Sequence, residues 1–224
     1  MTMSIIARCI ETGQFGVAAA TAVPAVGKLL THALAGVGAV ATQARLNPYL
    51  GIDGLALLRE GLEAAEVRER LAAMDPRSDL RQFAVIDAAG RTAAWTGAGC
   101  PGWAGVRGQD GFSVQGNILT GPEVLEAMAG AFAGTAGRPL ADRFLRALEA
   151  GVAAGGDARG ERSATIYIVE AEEYPLWDIR VDDHPDPVAE LHRLHGVFAE
   201  RLVPEIRRMP TRANPAGEHG EEPA

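Results

Sequence analysis

The chain has 224 residues, 47% of them hydrophobic and 22% charged, the composition of a soluble globular protein with room for a substantial core. Its formal net charge of −8 speaks against a nucleic-acid partner, whose phosphates call for a basic footprint, and against an anionic membrane surface. The two cysteines, Cys9 and Cys100, form neither a disulfide framework nor a metal-spaced cluster. With no basic-then-apolar leader at the start, the expected compartment is the cytoplasm, with both thiols reduced.

Thr2 directly follows the initiator Met1 and precedes a strand over residues 3–9. Once Met1 is removed, Thr2 carries a hydroxyl nucleophile and a free α-amine. The ordinary pKa of that amine, about 7.7–8.0, suits a general base near neutral pH. Glu11-Thr12-Gly13-Gln14 reads as a turn into a hairpin partner over residues 15–21. Pro24, Lys28, His32 and several glycines interrupt the apolar stretch from Phe15 to Ala44, so it is core and not a membrane span of about 20 apolar residues. Within it, residues 37–43 read as a third strand.

Helical spacing of apolar residues predicts helices over 51–62 and 64–74, the second stopped by Asp75-Pro76. Residues 82–87 and 91–96 form a hairpin around Ala88-Ala89-Gly90, and a Gly-rich loop over 97–111 leads to a strand at 112–118. Thr120 with Glu123 makes a capping-box pattern for a helix reaching Phe132. A further helix spans 140–153, two strands follow at 164–170 and 176–181, and a closing helix covers 187–207, with Asp186 as N-cap and Pro187 at the first turn. Strands come in hairpin-like groups and not in βαβ alternation, which predicts an α+β layered domain with mixed or antiparallel sheets. One domain is expected over residues 1–208, and a disordered Pro-, Gly- and Glu-rich tail over 209–224.

Several polar residues interrupt apolar strands. Thr42-Gln43 and Gln115-Gly116-Asn117 either satisfy backbone groups at strand ends or donate hydrogen bonds to a developing oxyanion. Asp157 and Arg159, in the Gly-rich run before the strand at 164–170, form either a local ion pair in a turn or a clamp for a charged substrate group. Asp182-Asp183-His184 lacks a second cluster that would complete a coordination shell, so no metal is expected. His192 and His195 read as surface or interface residues of the last helix, and a homodimer through that helix is plausible.

Ser4-Ile5-Ile6-Ala7-Arg8, Ala35-Gly36-Val37-Gly38 through Gln43-Ala44, Asn47-Pro48, Trp103-Ala104-Gly105, Gln115 to Leu119, Gly121-Pro122-Glu123-Val124, Gly155-Gly156-Asp157 and Val181 to Pro185 together resemble a bacterial domain-of-unknown-function family, number 1028, grouped with the Ntn-hydrolase superfamily. The resemblance covers the chain to about Leu194. It implies a four-layer αββα sandwich with Thr2 at the N-terminal nucleophile position. The expected function is cofactor-free hydrolysis of a C–N bond in a small-molecule linear or cyclic amide. Thr2 attacks, Asn117 or Gln43 holds the oxyanion, Arg159 with Asp157 positions the substrate, and Thr42 and Gln115 line the same site. Ser4, on the same strand face as Thr2, is the fallback nucleophile. The alternative is a non-catalytic protein of the same fold that binds a metabolite or a partner protein.

Overall fold

The structure, a computed structural model, describes residues 2–218. It is a mixed α+β fold with two antiparallel sheets. In chain order the elements are β1 (Thr2–Arg8), β2 (Phe15–Thr21), a single helical turn α1 (Gly27–Leu30), β3 (Thr31–Leu34), β4 (Gly38–Ala44), α2 (Tyr49–Arg59), α3 (Ala64–Met74), β5 (Arg81–Asp87), β6 (Thr92–Thr96), β7 (Trp103–Gln109), β8 (Phe112–Leu119), α4 (Glu123–Gly134), α5 (Leu140–Ala153), β9 (Ser163–Val169), β10 (Trp177–Val181), α6 (Pro187–Val197) and α7 (Val203–Ile206). The larger sheet has the strand order β10-β9-β2-β1-β8-β7, so β1 is central; the smaller runs β3-β4-β5-β6.

Side chains two residues apart on a strand share a face, and β1 shows what that does here. Met3, Ile5 and Ala7 pack with Val124, Leu125 and Met128 of α4, Phe144 and Leu148 of α5, and Leu191 of α6. Ile6 points the other way and packs with Phe15 and Val17 of β2, Ala39 and Ala41 of β4, and Ala84 and Ile86 of β5. A third cluster joins the far face of the small sheet (Val40, Phe83, Val85) to Leu50 and Leu58 of α2 and Val67 and Leu71 of α3. Helix α5 buries Leu140, Ala141, Phe144, Leu145, Ala147, Leu148 and Gly151, the three-and-four spacing of an amphipathic helix. Gly151 sets how close that helix comes: a Cβ there would lie 2.8 Å from side-chain atoms of Met128 and Met3.

The structure departs from the sequence expectations in several places. The loop expected over 97–111 contains strand β7, which lies at the edge of the large sheet and shows no apolar alternation. The short edge strand β3 was likewise not expected. The capping box at Thr120 is not made: α4 begins at Glu123 after Pro122 without a side-chain cap, and the Thr120 amide donates to the carbonyl of Gly156 instead. The closing helix is interrupted by a π-helical turn, Phe198–Leu202, just before Pro204, whose missing N–H cannot continue the helical ladder.

Asp186 does cap α6, its carboxylate accepting from the Ala189 amide, with proline in the first turn. Residues 209–218, within the stretch expected as a tail, turn back on the loop before β10. Tyr174 donates to the Pro210 carbonyl, and Arg212 pairs with Glu173. Residues 219–224 of that stretch, like Met1, lie outside the described residues. No helix among the described residues is long and apolar enough to cross a membrane.

Candidate active site

The layer between the sheets is apolar at one end and polar at the other. Ile6, Phe15, Val17 and Ile86 fill the apolar end. Two and four residues back along β1 stand Ser4 and Thr2, facing the same layer. Thr2 pairs with Asn117 and Ser4 with Gln115 across the β1–β8 ladder, while Gln43 pairs with Gln82 across β4–β5. All six side chains are buried. Buried polar groups must find partners or cost free energy, and these find one another.

The hydrogen bonds have a consistent direction. The Ser113 hydroxyl donates to Gln115 Oε1 at 3.3 Å, Gln115 Nε2 to Ser4 Oγ at 2.7 Å, and Ser4 Oγ to Gln43 Oε1 at 2.6 Å. Gln43 Nε2 donates to Gln82 Oε1 at 2.7 Å and to the Thr2 carbonyl at 3.3 Å. Gln82 Nε2 ends the chain on the Gly116 carbonyl at 2.8 Å, the Gly105 carbonyl at 3.2 Å and Thr96 Oγ1 at 3.0 Å. Asn117 Nδ2 joins at Gln82 Oε1, 3.0 Å away.

The Thr2 and Thr21 hydroxyl oxygens lie 3.2 Å apart, and Thr2 is 6% exposed. Opposite Thr2, the Oδ1 of Asn117 is buried and has no hydrogen-bond partner among the described residues. A buried orphan acceptor in a native fold calls for an explanation. Beside it, the backbone of Ile118 has φ 52°, and Ala44, next to Gln43, has φ 66°. For a β-branched residue the left-handed region is an outlier, and such strain concentrates at functional sites.

Thr21 leads into the second polar group. The Ala22 amide donates to Asp157 Oδ2 at 3.1 Å, and the Arg159 amide to Asp157 Oδ1 at 2.8 Å. The Arg159 guanidinium lies 3.6 Å from the same carboxylate and is half-exposed. Glu161 Oε1 accepts from the Asp157 amide at 2.8 Å. Burial pushes the Glu161 carboxyl above its ordinary range, and the neighbouring Asp157 and Asp186 charges push the same way.

The structure thus brings together Thr2, Ser4, Gln43, Gln115 and Asn117, and sets Asp157 and Arg159 beside Ala22 at the end of β2. Thr42 is not with them. It faces the opposite side of β4, shared with Val40, and donates to the Asn47 carbonyl at 3.2 Å. Five participants were missed in the sequence: Gln82, Thr21, Glu161, Ser113 and Thr96. Only the pairing of Gln82 with Gln43 turns it inward, and a polar residue opening a strand carries no such signal by itself.

Other chemistry considered in the sequence lies elsewhere. Cys100 donates to the Arg81 carbonyl at 3.4 Å, and burial pushes its thiol up, away from the thiolate a nucleophile needs. His192 and His195 sit 2.7 and 2.9 Å from Glu149 and Asp142 of α5. Among the described residues no group of three or more His, Cys, Asp or Glu is placed to hold a metal ion.

Comparison with one solved structure agrees with this architecture. The chain superimposes on the crystal structure of protein SPO2555 from Silicibacter pomeroyi, which carries the DUF1028 family model, with a TM-score of 0.89 and 28% identity, covering 98% of this chain and 99% of that one. Anbu, the ancestral beta-subunit from Yersinia bercovieri, aligns over 93% of this chain and 98% of its own with a TM-score of 0.41 and 11% identity. No curated protein matches the sequence. A family model described as a family of unknown function, DUF1028, matches residues 2–191, and the chain belongs to that family.

Proposed function

We propose that the chain is a four-layer αββα sandwich of the Ntn-hydrolase kind and hydrolyses a C–N bond of a small-molecule amide, with Thr2 as nucleophile. The observation that carries this reading is the placement of Thr2. It is the first residue of the central strand, its hydroxyl is beside that of Thr21 at the polar end of the inter-sheet layer, and its carbonyl is held by Gln43.

In this reading Met1 is removed and the Thr2 α-amine serves as the base. Thr2 Oγ1 attacks the amide carbonyl while its proton passes to the amine, directly or through a water. The tetrahedral intermediate collapses as that proton moves to the leaving nitrogen. The resulting ester on Thr2 is then hydrolysed by water activated by the same amine.

Asn117 is the better of the two expected oxyanion donors. Both amide hydrogens of Gln43 are engaged, on Gln82 and on the Thr2 carbonyl, whereas Asn117 Nδ2 makes one bond and keeps a second hydrogen. Its orphan Oδ1 is an acceptor directly across the ladder from Thr2, suited to the ammonium that forms there. Ser4 has its hydroxyl fixed between Gln115 and Gln43, which fits a hub that orders the network better than a second nucleophile. Asp157 and Arg159 serve as the docking point for a charged substrate end.

The test is turnover of a panel of linear and cyclic amides by wild type, Thr2→Ser, Thr2→Ala and Ser4→Ala. Activity kept in Thr2→Ser and lost in Thr2→Ala supports the reading. Activity in Thr2→Ala that Ser4→Ala abolishes overturns it. A wild type that turns over none of the panel favours the non-catalytic alternative.

A further inference from the structure

A second feature lies at the opposite end of β1, six residues and about 20 Å of strand from Thr2. There a cavity of about 360 Å³ is lined by Arg8, Arg143, Phe112, Phe132, Glu11 and Asp110, among others. That size falls in the range of small-molecule pockets.

Both arginines are underused. The Arg143 guanidinium lies on the Phe132 ring, 3.9 Å from its centroid, and donates one weak bond to the Phe132 carbonyl at 3.3 Å. The Arg8 guanidinium lies 5.8 Å from the Phe15 ring centroid. The Nε of each is buried without a partner, and neither arginine makes an ion pair among the described residues. Five donors on a guanidinium taken partly out of water are expensive to leave unmet. Burial lowers the Arg143 pKa, opposed only in part by nearby Cys9 and Glu11.

We propose that this cavity binds a small organic monocarboxylate, its carboxylate held by Arg8 and Arg143 and its apolar body against Ile10 and Phe112. The guanidinium fork matches a carboxylate through two parallel bonds. Ile10, 76% exposed, and Phe112 supply the apolar wall. Glu11 and Asp110 decide the charge. Both carboxylates line the same cavity as the two guanidiniums, and they repel a dianionic phosphate more strongly than a ligand with a single negative charge. The site is separate from the Thr2 reading and stands or falls without it.

Calorimetric titration of the full chain tests this with benzoate as probe, benzamide as its neutral isostere and inorganic phosphate as a dianion. Benzoate is expected to bind at least about tenfold more tightly than benzamide or phosphate. Arg8→Met and Arg143→Met should each weaken benzoate at least about tenfold, while Arg107→Met, on the exposed β7, leaves it unchanged. Because Arg143 also packs on Phe132, Arg8→Met supplies the test that does not depend on that packing. Equal affinity for benzamide, tighter binding of phosphate, benzoate binding that survives Arg8→Met, or no benzoate heat at about 10 mM would each overturn the proposal.

Discussion

Ser4 donates to Gln43 Oε1 at 2.6 Å, and this one bond crosses from the six-stranded sheet to the four-stranded sheet. Around it the two sheets share a polar network where an apolar interface would otherwise continue. The network fixes which atoms near Thr2 are already committed and which remain available for chemistry.

Gln82 is the point on which that network converges. Gln82→Leu orphans Asn117 Nδ2 and takes one partner each from Gln43 Nε2 and the Gly116 carbonyl. At ~1–3 kcal/mol for each buried group left unsatisfied, urea unfolding should show a loss of about 3 kcal/mol. Thr96→Ala, which removes one exposed partner of the same amide, should cost under about 1 kcal/mol.

Ala44 holds φ 66° at the end of β4. An L-residue in the left-handed region costs roughly 1–2 kcal/mol, and glycine gives back roughly 0.4–1 kcal/mol through the entropy of the unfolded chain. Ala44→Gly should therefore leave stability unchanged or raise it by up to about 1 kcal/mol in chemical denaturation. A clear destabilisation would mean that the methyl group packs more than it strains.

Glu161 gives a pH signature. Burial first, then the Asp157 and Asp186 charges, raise its folded pKa above the unfolded value. In the interval between the two values the folded state binds more protons, so stability falls as pH rises through it. The contribution is present at acid pH and lost towards neutrality. Glu161→Gln keeps an acceptor for the Asp157 amide without the charge. It should be more stable than wild type at pH 7, and the gap should close below the unfolded pKa, as read by thermal melts across pH.

Asn117→Ala should lower kcat on an accepted amide by about 10²–10³ with little change in KM, the loss expected for one oxyanion donor. A change confined to KM would assign Asn117 to substrate binding instead.

Much of this was legible in the sequence. The alternation in Thr2 to Arg8, the hairpin at Ala88-Ala89-Gly90 and the amphipathic spacing of Leu140 to Ala153 each correspond to an element, because local pattern and tertiary burial agree there. Gln43, Gln115 and Asn117 stood out as polar residues in apolar strands, Thr2 by its place after Met1 and Ser4 by sharing its strand face, and these five lie together. Strand β7 escaped because an edge strand with Gly105 and Gly108 has no buried alternation to read. Thr42 and Gln43 are adjacent, so only one can face the site; which one depends on register, a property of the paired sheet and not of the segment. Gln82 and Thr21 depend on the same register.

The central claim, that Thr2 acts through its own α-amine, is tested most directly by the intact mass of the purified protein. The account predicts a mass short of the full sequence by one methionine residue, with Thr2 as the N-terminus. A mass that retains Met1 would leave Thr2 without a free amine and contradict it.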